Sequence, residues 1–488
     1  MDAGLETQCK PAYRFLNETQ IKIIHHATLK VLETTGVRVS HEEGIHLLKH
    51  AGCSIRDENI AQIPNRLVED CIRSAPSGIA IYNRKGEAAM QLEGHHSYYG
   101  LGTDLVTTYD LVSKETRQSL LKDVVNAARV ADYCEEIDFI ASFALPGDVH
   151  TNLAYISCVK AQLENSTKPI FFTAAGAEDL AFIIEMAAAA AGGDAALREK
   201  PFIIHYSEPT SPLTHSHGAV SKLLLCAEKG IPICYTPAAM LGGSAPVTLA
   251  GGIVQANAEA LSGIVLHQLK RRGAPLISGF ALPPLDMRTS CVVYAAPELR
   301  MANSAFADLY HHYQLPMWSS AGSDAHAFDA QASMEHAFTT LMAALDGANL
   351  IHDVAYLGQG LLGHPAMIVM CAEIVSYVKR IMAGFDISQE MLGLDTIHKV
   401  GPGGNYLTED HTLRHFRKEI WRPRLLNRDN PDTWREKGSR RYEDVVIAKT
   451  LEILETHQPE RLPAEVQAMI NEILQRAEEA LQDIQFVA

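Results

Sequence analysis

The chain has 488 residues, 47% of them hydrophobic and 20% charged, which is the composition of an ordinary globular protein with ample material for a large core. Its formal net charge of −16 argues against non-specific nucleic-acid binding and mildly favours cationic ligands. The nine cysteines are scattered with no Cys-x-x-Cys pair, the start Met1-Asp2-Ala3-Gly4 has no basic-plus-apolar signal pattern, and no apolar run reaches the ~18 residues needed to span a membrane. These features predict a cytoplasmic chain with reduced thiols.

Residues 1–78 read as an N-terminal helical segment packed on the domain that follows. Asn17 with Gln20 resembles a capping pair, Ile21, Ile24, Thr28 and Val31 then share one helical face, and Gly36 is a stop. Ser40 with Glu43 forms a second capping box for a helix ending near Gly52, and Pro64 introduces a third helix.

Residues 79–385 repeat one unit eight times: a short apolar or aromatic run, a break, then a helix-like stretch. The strand-like runs are Ser97–Gly100, Ile137–Leu145, Pro169–Thr173, Pro201–Tyr206, Ile231–Tyr235, Pro275–Phe280, Pro316–Ser320 and Asn349–Leu357. The helices between and after them fall at Ser119–Cys134, Thr151–Asn165, Glu178–Ala191, Thr214–Lys229, Ala250–Arg272, Pro297–Tyr313, Ala330–Gly347 and Pro365–Ala383. Strict alternation implies a parallel sheet in an α/β fold. An open doubly wound sheet gives the same alternation; the count of eight favours a (β/α)8 TIM barrel, which takes roughly 250 residues. Residues 386–488 read as a C-terminal helical extension, with a short run ending at His398, a loop at Gly401-Pro402-Gly403-Gly404, and an amphipathic helix from Ala464 to about Ile484.

In a barrel, chemistry sits where the strands end. Here those ends carry Tyr98, Tyr99 and Asp104, then His205, Tyr206 and Glu208, then Tyr235, Phe280, the segment Ser323–Gln331, and finally Tyr356 and Gln359. Rings with carboxylates suit a quaternary ammonium, which has no N–H to donate and is held by ring quadrupoles at about 0.5–2 kcal/mol each. Any one ring could simply plug the barrel; the set is what points to a cation. No zinc site is expected. His215 and His217 fall at a helix start where their rings diverge, and His41 and His46 are one residue too far apart for a zincin pair. Gly100-Leu101-Gly102 and Gly242-Gly243 complete no dinucleotide or phosphate fingerprint, and Ser323, Asp324 and His326 are too close in sequence for a triad.

The segment Ser323-Asp324-Ala325-His326-Ala327-Phe328-Asp329-Ala330-Gln331 resembles the Asp-Ala-Lys…Asp-x-Gln signature of the trimethylamine methyltransferase family, with His326 where a Lys is common. Pro246–Gly251 with Ala256–Glu259, Asp286–Thr289, Val400–Leu407 and His411–Trp421 fit the same family in order along the chain. The resemblance implies a (β/α)8 barrel. Founding members use pyrrolysine to demethylate trimethylamine and pass the methyl group to a corrinoid protein. This chain has only standard residues, so it resembles the non-pyrrolysine branch, which demethylates quaternary amines such as glycine betaine, proline betaine or carnitine.

On that resemblance the nucleophile is the cobalt(I) of cobalamin on a cognate corrinoid protein, no catalytic residue or tightly bound cofactor is expected in this chain, and a homo-oligomer is expected. Tyr98, Tyr206 and Phe328 are the expected walls around the ammonium, with Asp104 and Glu208 as charge partners. His205, His326 and Gln331 are the expected partners of the substrate's polar tail, although His205, inside an apolar strand, also fits a core position. The basic run Arg414, Arg417, Lys418, Arg422 and Arg424 could dock an acidic corrinoid protein or form a solvated helix face. Two other readings remain open: a barrel lyase or hydrolase using Asp104 and Glu208 as acid and base, and a non-catalytic quaternary amine binding protein.

Overall fold

The computed structural model describes residues 7–486. Seven of the eight expected barrel strands are regular: β1 (Tyr98–Leu101), β3 (Ile170–Phe172), β4 (Ile203–Ser207), β5 (Ile233–Tyr235), β6 (Leu276–Ser278), β7 (Trp318–Ser320) and β8 (Leu350–Val354). The second, β2 at residues 139–140, is reduced to single parallel bridges, Phe139 to Gly100 and Ile140 to Ile170. From β3 the parallel pairing runs through β4, β5 and β6, crosses to the seventh strand segment by the bridge from Ser278 to Met317, and continues from β7 to β8. β8 then pairs with β1, so the circuit returns to its start. Each strand is buried on both faces, which is why it reads as a continuous apolar run rather than an alternating one.

All eight outer helices form where the periodicity puts them: α1 (Leu121–Tyr133), α2 (Ala154–Asn165), α3 (Ala177–Ala191), α4 (His217–Lys229), α5 (Leu249–Lys270), α6 (Pro297–Tyr313), α7 (Ala330–Leu345) and α8 (Pro365–Ala383). Their ends follow local chemistry. Ser216 caps α4 and Gly230 closes it in the left-handed region; Asp329 caps α7 by accepting from the N–H groups of Gln331 and Ala332. Helix α5 is long and apolar enough to cross a membrane by length and composition, but 72% of its apolar window is buried in this fold.

The N-terminal segment is not purely helical. Helices Glu18–Lys30 and Asn65–Ser74 form as expected, and the Asn17–Gln20 capping box is present. The second helix, Glu42–His50, is capped by His41 Nδ1 accepting from Gly44 N–H, not by Ser40. Between them the chain forms short strands, Val37–Val39, Ser54–Arg56 and Ile60–Gln62, joined by Thr214–His215 from the barrel's loops. Three-residue strands leave too little periodicity to read from sequence. A hairpin, Ile79–Tyr82 with Ala88–Leu92, then crosses the N-terminal end of the barrel. Tyr82 N–H donates to Pro201 O and Arg84 N–H to Thr167 O, both at 2.8 Å, at the starts of β4 and β3. Ile81, Met90 and Leu92 are buried beneath the strands.

In the C-terminal extension, helix Ala464–Leu481 lies on the barrel's flank, with an Arg476–Glu185 ion pair at 2.6 Å to α3. From Lys379 to Val445 no residue is buried, although the segment includes four short helices. In its basic run Arg414 pairs with Glu390 and Arg424 with Glu135 and Glu136, while Arg417 and Arg422 lie over the Phe416 ring.

Inward-facing glycines set the interior's shape. A Cβ on Gly100 would collide with the ring of Phe139, and one on Gly102 with the ring of Tyr356. Gly100→Ala should therefore overpack the interior, at a cost of about 1–3 kcal/mol. Urea unfolding should show a lower midpoint with an unchanged m-value.

Candidate functional site

Beyond the C-terminal ends of the strands lies a cavity of about 580 Å³, within the usual range for small-molecule sites of about 300–1,000 Å³. Inward positions of the strands supply its floor and walls, because side chains alternate along each strand. Tyr206 on β4 faces Trp318 on β7 with stacked rings 6.2 Å apart, and both approach His352 on β8, at 5.7 and 6.0 Å. The Tyr356 ring lies 6.2 Å from His352, in the space that Gly102 leaves, and its hydroxyl donates to Thr103 O. Tyr155 at the start of α2 and Tyr294 in the loop after β6 complete the aromatic lining.

Asp104, Glu208 and Asp353 also line the cavity. Asp104 sits in the left-handed region at φ 66° and accepts from the hydroxyl of Thr173 at 3.0 Å and that of Ser142 at 3.2 Å. Glu208 accepts from the Tyr206 hydroxyl. Burial raises the pKa of both carboxyls above the ordinary range. Hydrogen bonds from Thr173, Thr103 and Ser142 oppose this at Asp104; at Glu208 the Tyr206 hydroxyl opposes it and the charge of Asp353 adds to it. Asp353 Oδ1 is 2.8 Å from His352 Nδ1. The lining also includes a lysine, Lys222 on α4, whose ammonium donates to Ala174 O at 2.8 Å and whose pKa burial depresses.

Of the residues singled out from sequence, the cavity gathers Asp104, Tyr206 and Glu208, with Tyr356 and Gln359 from the wider strand-end set. The other five lie outside it. Tyr98 is at the wrong end: β1 runs upward from it, and its hydroxyl accepts from Gln91 N–H of the floor hairpin at 3.0 Å. His205 is one residue out of phase with Tyr206 and packs on Phe172, ring centroids 5.1 Å apart, as a fully buried core histidine. Tyr235 and Phe280 also belong to the outer core, against His215 and against Phe306 of α6.

The signature segment acts at one remove. Asp324 accepts from the N–H groups of Tyr294 and Ala295, each at 2.8 Å, and so fixes the loop that brings Tyr294 into the cavity wall. Glu335 accepts from Ser323 Oγ and Asp324 N–H, while Gln331 donates to Glu335 at 2.9 Å. His326 is exposed, and Phe328 packs edge-on against His364 at 5.5 Å. None of His326, Phe328 and Gln331 lines the cavity. Trp318 and His352 were within reach of sequence, since each lies in a predicted strand at inward parity. Tyr155 and Tyr294 sit on a helix start and in a loop, where no period marks them.

These features define a closed parallel barrel with one small-molecule cavity at its mouth. The profile of the trimethylamine methyltransferase (MTTB) family matches residues 3–482, and the chain belongs to that family. It is 32% identical over 468 residues to trimethylamine methyltransferase MttB of Desulfitobacterium hafniense, covering 95% of this chain and 94% of that one. It is 33% identical over 479 residues to the MttB of Methanosarcina barkeri, covering 94% of each chain, and 28% identical over 476 residues to the glycine betaine methyltransferase of D. hafniense, covering 97% and 99%. Among solved structures, the monomethylamine methyltransferase MtmB of M. barkeri superposes with a TM-score of 0.53 at 10% identity, over 99% of this chain and 91% of that one, a likeness of fold.

The raised carboxyls make a pH prediction. A cation in the cavity favours the ionised forms of Asp104 and Glu208, so its binding releases protons. Affinity for tetramethylammonium should rise with pH through the elevated carboxyl range. Asp104→Asn and Glu208→Gln should flatten that rise. Calorimetry in buffers of differing ionisation enthalpy reads the proton release directly; proton uptake would contradict the assignment.

Proposed function

We propose that this chain transfers a methyl group from a quaternary amine to the corrinoid of a partner protein. The observation that carries the reading is the cluster of Tyr206, Trp318, His352 and Tyr356 beside three carboxylates, at the mouth of the barrel. Membership of a methyltransferase family and the likeness to a glycine betaine methyltransferase support it.

The corrinoid, when its carrier protein is docked, supplies the cobalt(I) nucleophile that accepts the methyl group. This chain's residues position and desolvate the substrate. A quaternary nitrogen departs as a neutral tertiary amine, so no proton need be supplied to it. The positive charge disappears along the reaction, and a cage that held the cation too tightly would stabilise the ground state over the transition state. Carboxyls whose ionisation burial opposes suit that demand, since their negative charge is tempered before the ligand arrives. The rim fits a large apolar partner: Val106, Val247, Met287 and Leu361, on the loops after β1, β5, β6 and β8, are 43%, 68%, 64% and 55% exposed.

Purified chain incubated with reduced corrinoid protein and a panel of quaternary amines should show the absorbance change of methyl-cobalt formation, with the matching tertiary amine detected by mass spectrometry. A panel with no methyl transfer to either a carrier protein or free cob(I)alamin would overturn the reading. Met287→Gln with Val247→Gln, outside the cavity lining and without added charge, should slow transfer to the carrier protein by about tenfold, the effect of about 1.4 kcal/mol, while calorimetric Kd values for the amine stay within twofold.

A further inference from the structure

The N- and C-terminal extensions cover much of the barrel's outer ring. Helix Tyr442–Thr456 lies on α1 and α8, Ala464–Leu481 on α3, and Glu18–Lys30 with Asn65–Ser74 on the apolar α5. Helix α7 packs chiefly against α6, α8 and the strands β7 and β8. Its sequence nevertheless suits a covered helix. Glu335 is its only Asp, Glu, Lys or Arg, and that carboxylate is taken up by Ser323 and Gln331. Met334 and Phe338 on its outer face are 54% and 64% exposed, and apolar grooves of about 360 and 340 Å³ run along its two sides, against α6 and α8. A helix without a charged face belongs in an interior.

This bare flank continues along α8, through Tyr377 and Ile381, to Phe385. Residues 384–441 then hold four helices of 4, 7, 10 and 6 residues, Gln389–Leu392, Leu394–Val400, Asp410–Glu419 and Pro431–Glu436, and none of their residues is buried. Helices shorter than about 12 residues are marginal in water by themselves. The segment's ties to the barrel are polar: Glu373 accepts from the N–H groups of Arg424, Leu425 and Leu426, and Trp421 Nε1 donates to Ser376 Oγ. Meanwhile Leu392, Leu394, Ile397, Leu407, Leu413 and Ile420 are 48–81% exposed. A contiguous apolar surface of this extent marks an interface.

Two observations choose what covers it. The segment leaves α8 at that helix's C-terminal end, and Arg424 pairs with Glu136 just ahead of β2, so it is rooted at the floor of the barrel, away from the mouth where a carrier protein must sit. Its charge also departs from that of the chain: it has eleven Lys and Arg against nine Asp and Glu, where the whole chain has 42 against 58. A slightly basic, apolar arm complements the acidic body of a second copy, and an uncharged face on the α7 flank fits the apolar interior of a permanent homodimer interface.

We propose that two copies of this chain associate through this surface, the segment 384–441 of one lying on the α7–α8 flank of the other, twice around a two-fold axis. The exposed face of α7 and the coreless segment then supply each other's missing interior.

Light scattering after size exclusion, across micromolar concentrations of the full chain, reads the assembly. The wild type should have the mass of two chains or an even multiple. Phe338→Glu on α7 and Leu394→Glu on the segment should each raise the dissociation constant tenfold or more, on the order expected for a buried anchor, with far-ultraviolet circular dichroism unchanged. Val112→Glu, at an exposed apolar residue outside this surface, should leave the mass as it was. Hydrogen exchange should show the amides of Leu394–Val400 protected in the assembled wild type and exchanging faster on dilution through the dissociation range, a comparison that needs no substitution. A monomeric wild type, an odd-numbered assembly, or an unchanged mass in both variants overturns the proposal. Protection of Leu394–Val400 that appears only when a corrinoid carrier protein is added overturns it too, and assigns the surface to that protein.

Discussion

The alternation of side chains around a closed ring of parallel strands governs everything at the mouth. Once β8 pairs with β1, each regular strand has a fixed inner set, broken on β8 by an irregular register that lets both His352 and Asp353 line the cavity. Tyr206 and His205 are neighbours in sequence with opposite fates: one faces Trp318 and His352 across the interior, the other is sealed against Phe172. The interior has room for its rings because two inward positions of the first strand segment are glycine. Gly100 admits the ring of Phe139, and Gly102 admits that of Tyr356. The cavity is thus a property of the register before it is a property of any one side chain.

Charge in the cavity is arranged with restraint. Asp104 is met by hydroxyls and Glu208 by the phenol of Tyr206, and neither has a cation paired directly to it among the described residues. Neutral donors orient a carboxylate while leaving its charge available, and burial lifts the pKa of both groups. On the quaternary-amine reading, such a cavity answers an incoming cation by shedding protons. Burial thus tempers the charge of Asp104 and Glu208 and lowers the cost of holding the two carboxyls in the cavity wall.

Much of this was legible in the sequence, and the parts that were not share a physical cause. Eight strands and eight helices could be placed because each helix spans several turns of its period and each strand is a compact apolar run between breaks. The strands of the N-terminal segment, three residues each, are below the length at which a period can be told from chance. At the site, Tyr206 is legible because it stands near the end of its strand and Asp104 and Glu208 because they come just after theirs, whereas Tyr98 stands at the start of its strand. His326, Phe328 and Gln331 stand in the segment that carries the family resemblance, yet that segment works through backbone contacts. Asp324 grips the N–H groups of Tyr294 and Ala295, and the flanking side chains are left to pack or to face solvent. A signature marks what a fold needs at a position, which can be a loop held still rather than a group presented to ligand.

The hairpin under the barrel has a consequence for the order of events. With the N-terminal end closed by Ile81, Met90 and Leu92, the cavity has one door, and the loops after the strands frame it. Two reactants of unequal size cannot use one door in either order. The small one must go in first, and the large one then covers it. In the reaction proposed above, the spent amine stays trapped until the carrier protein lifts away, so each turnover would end with the parting of two proteins.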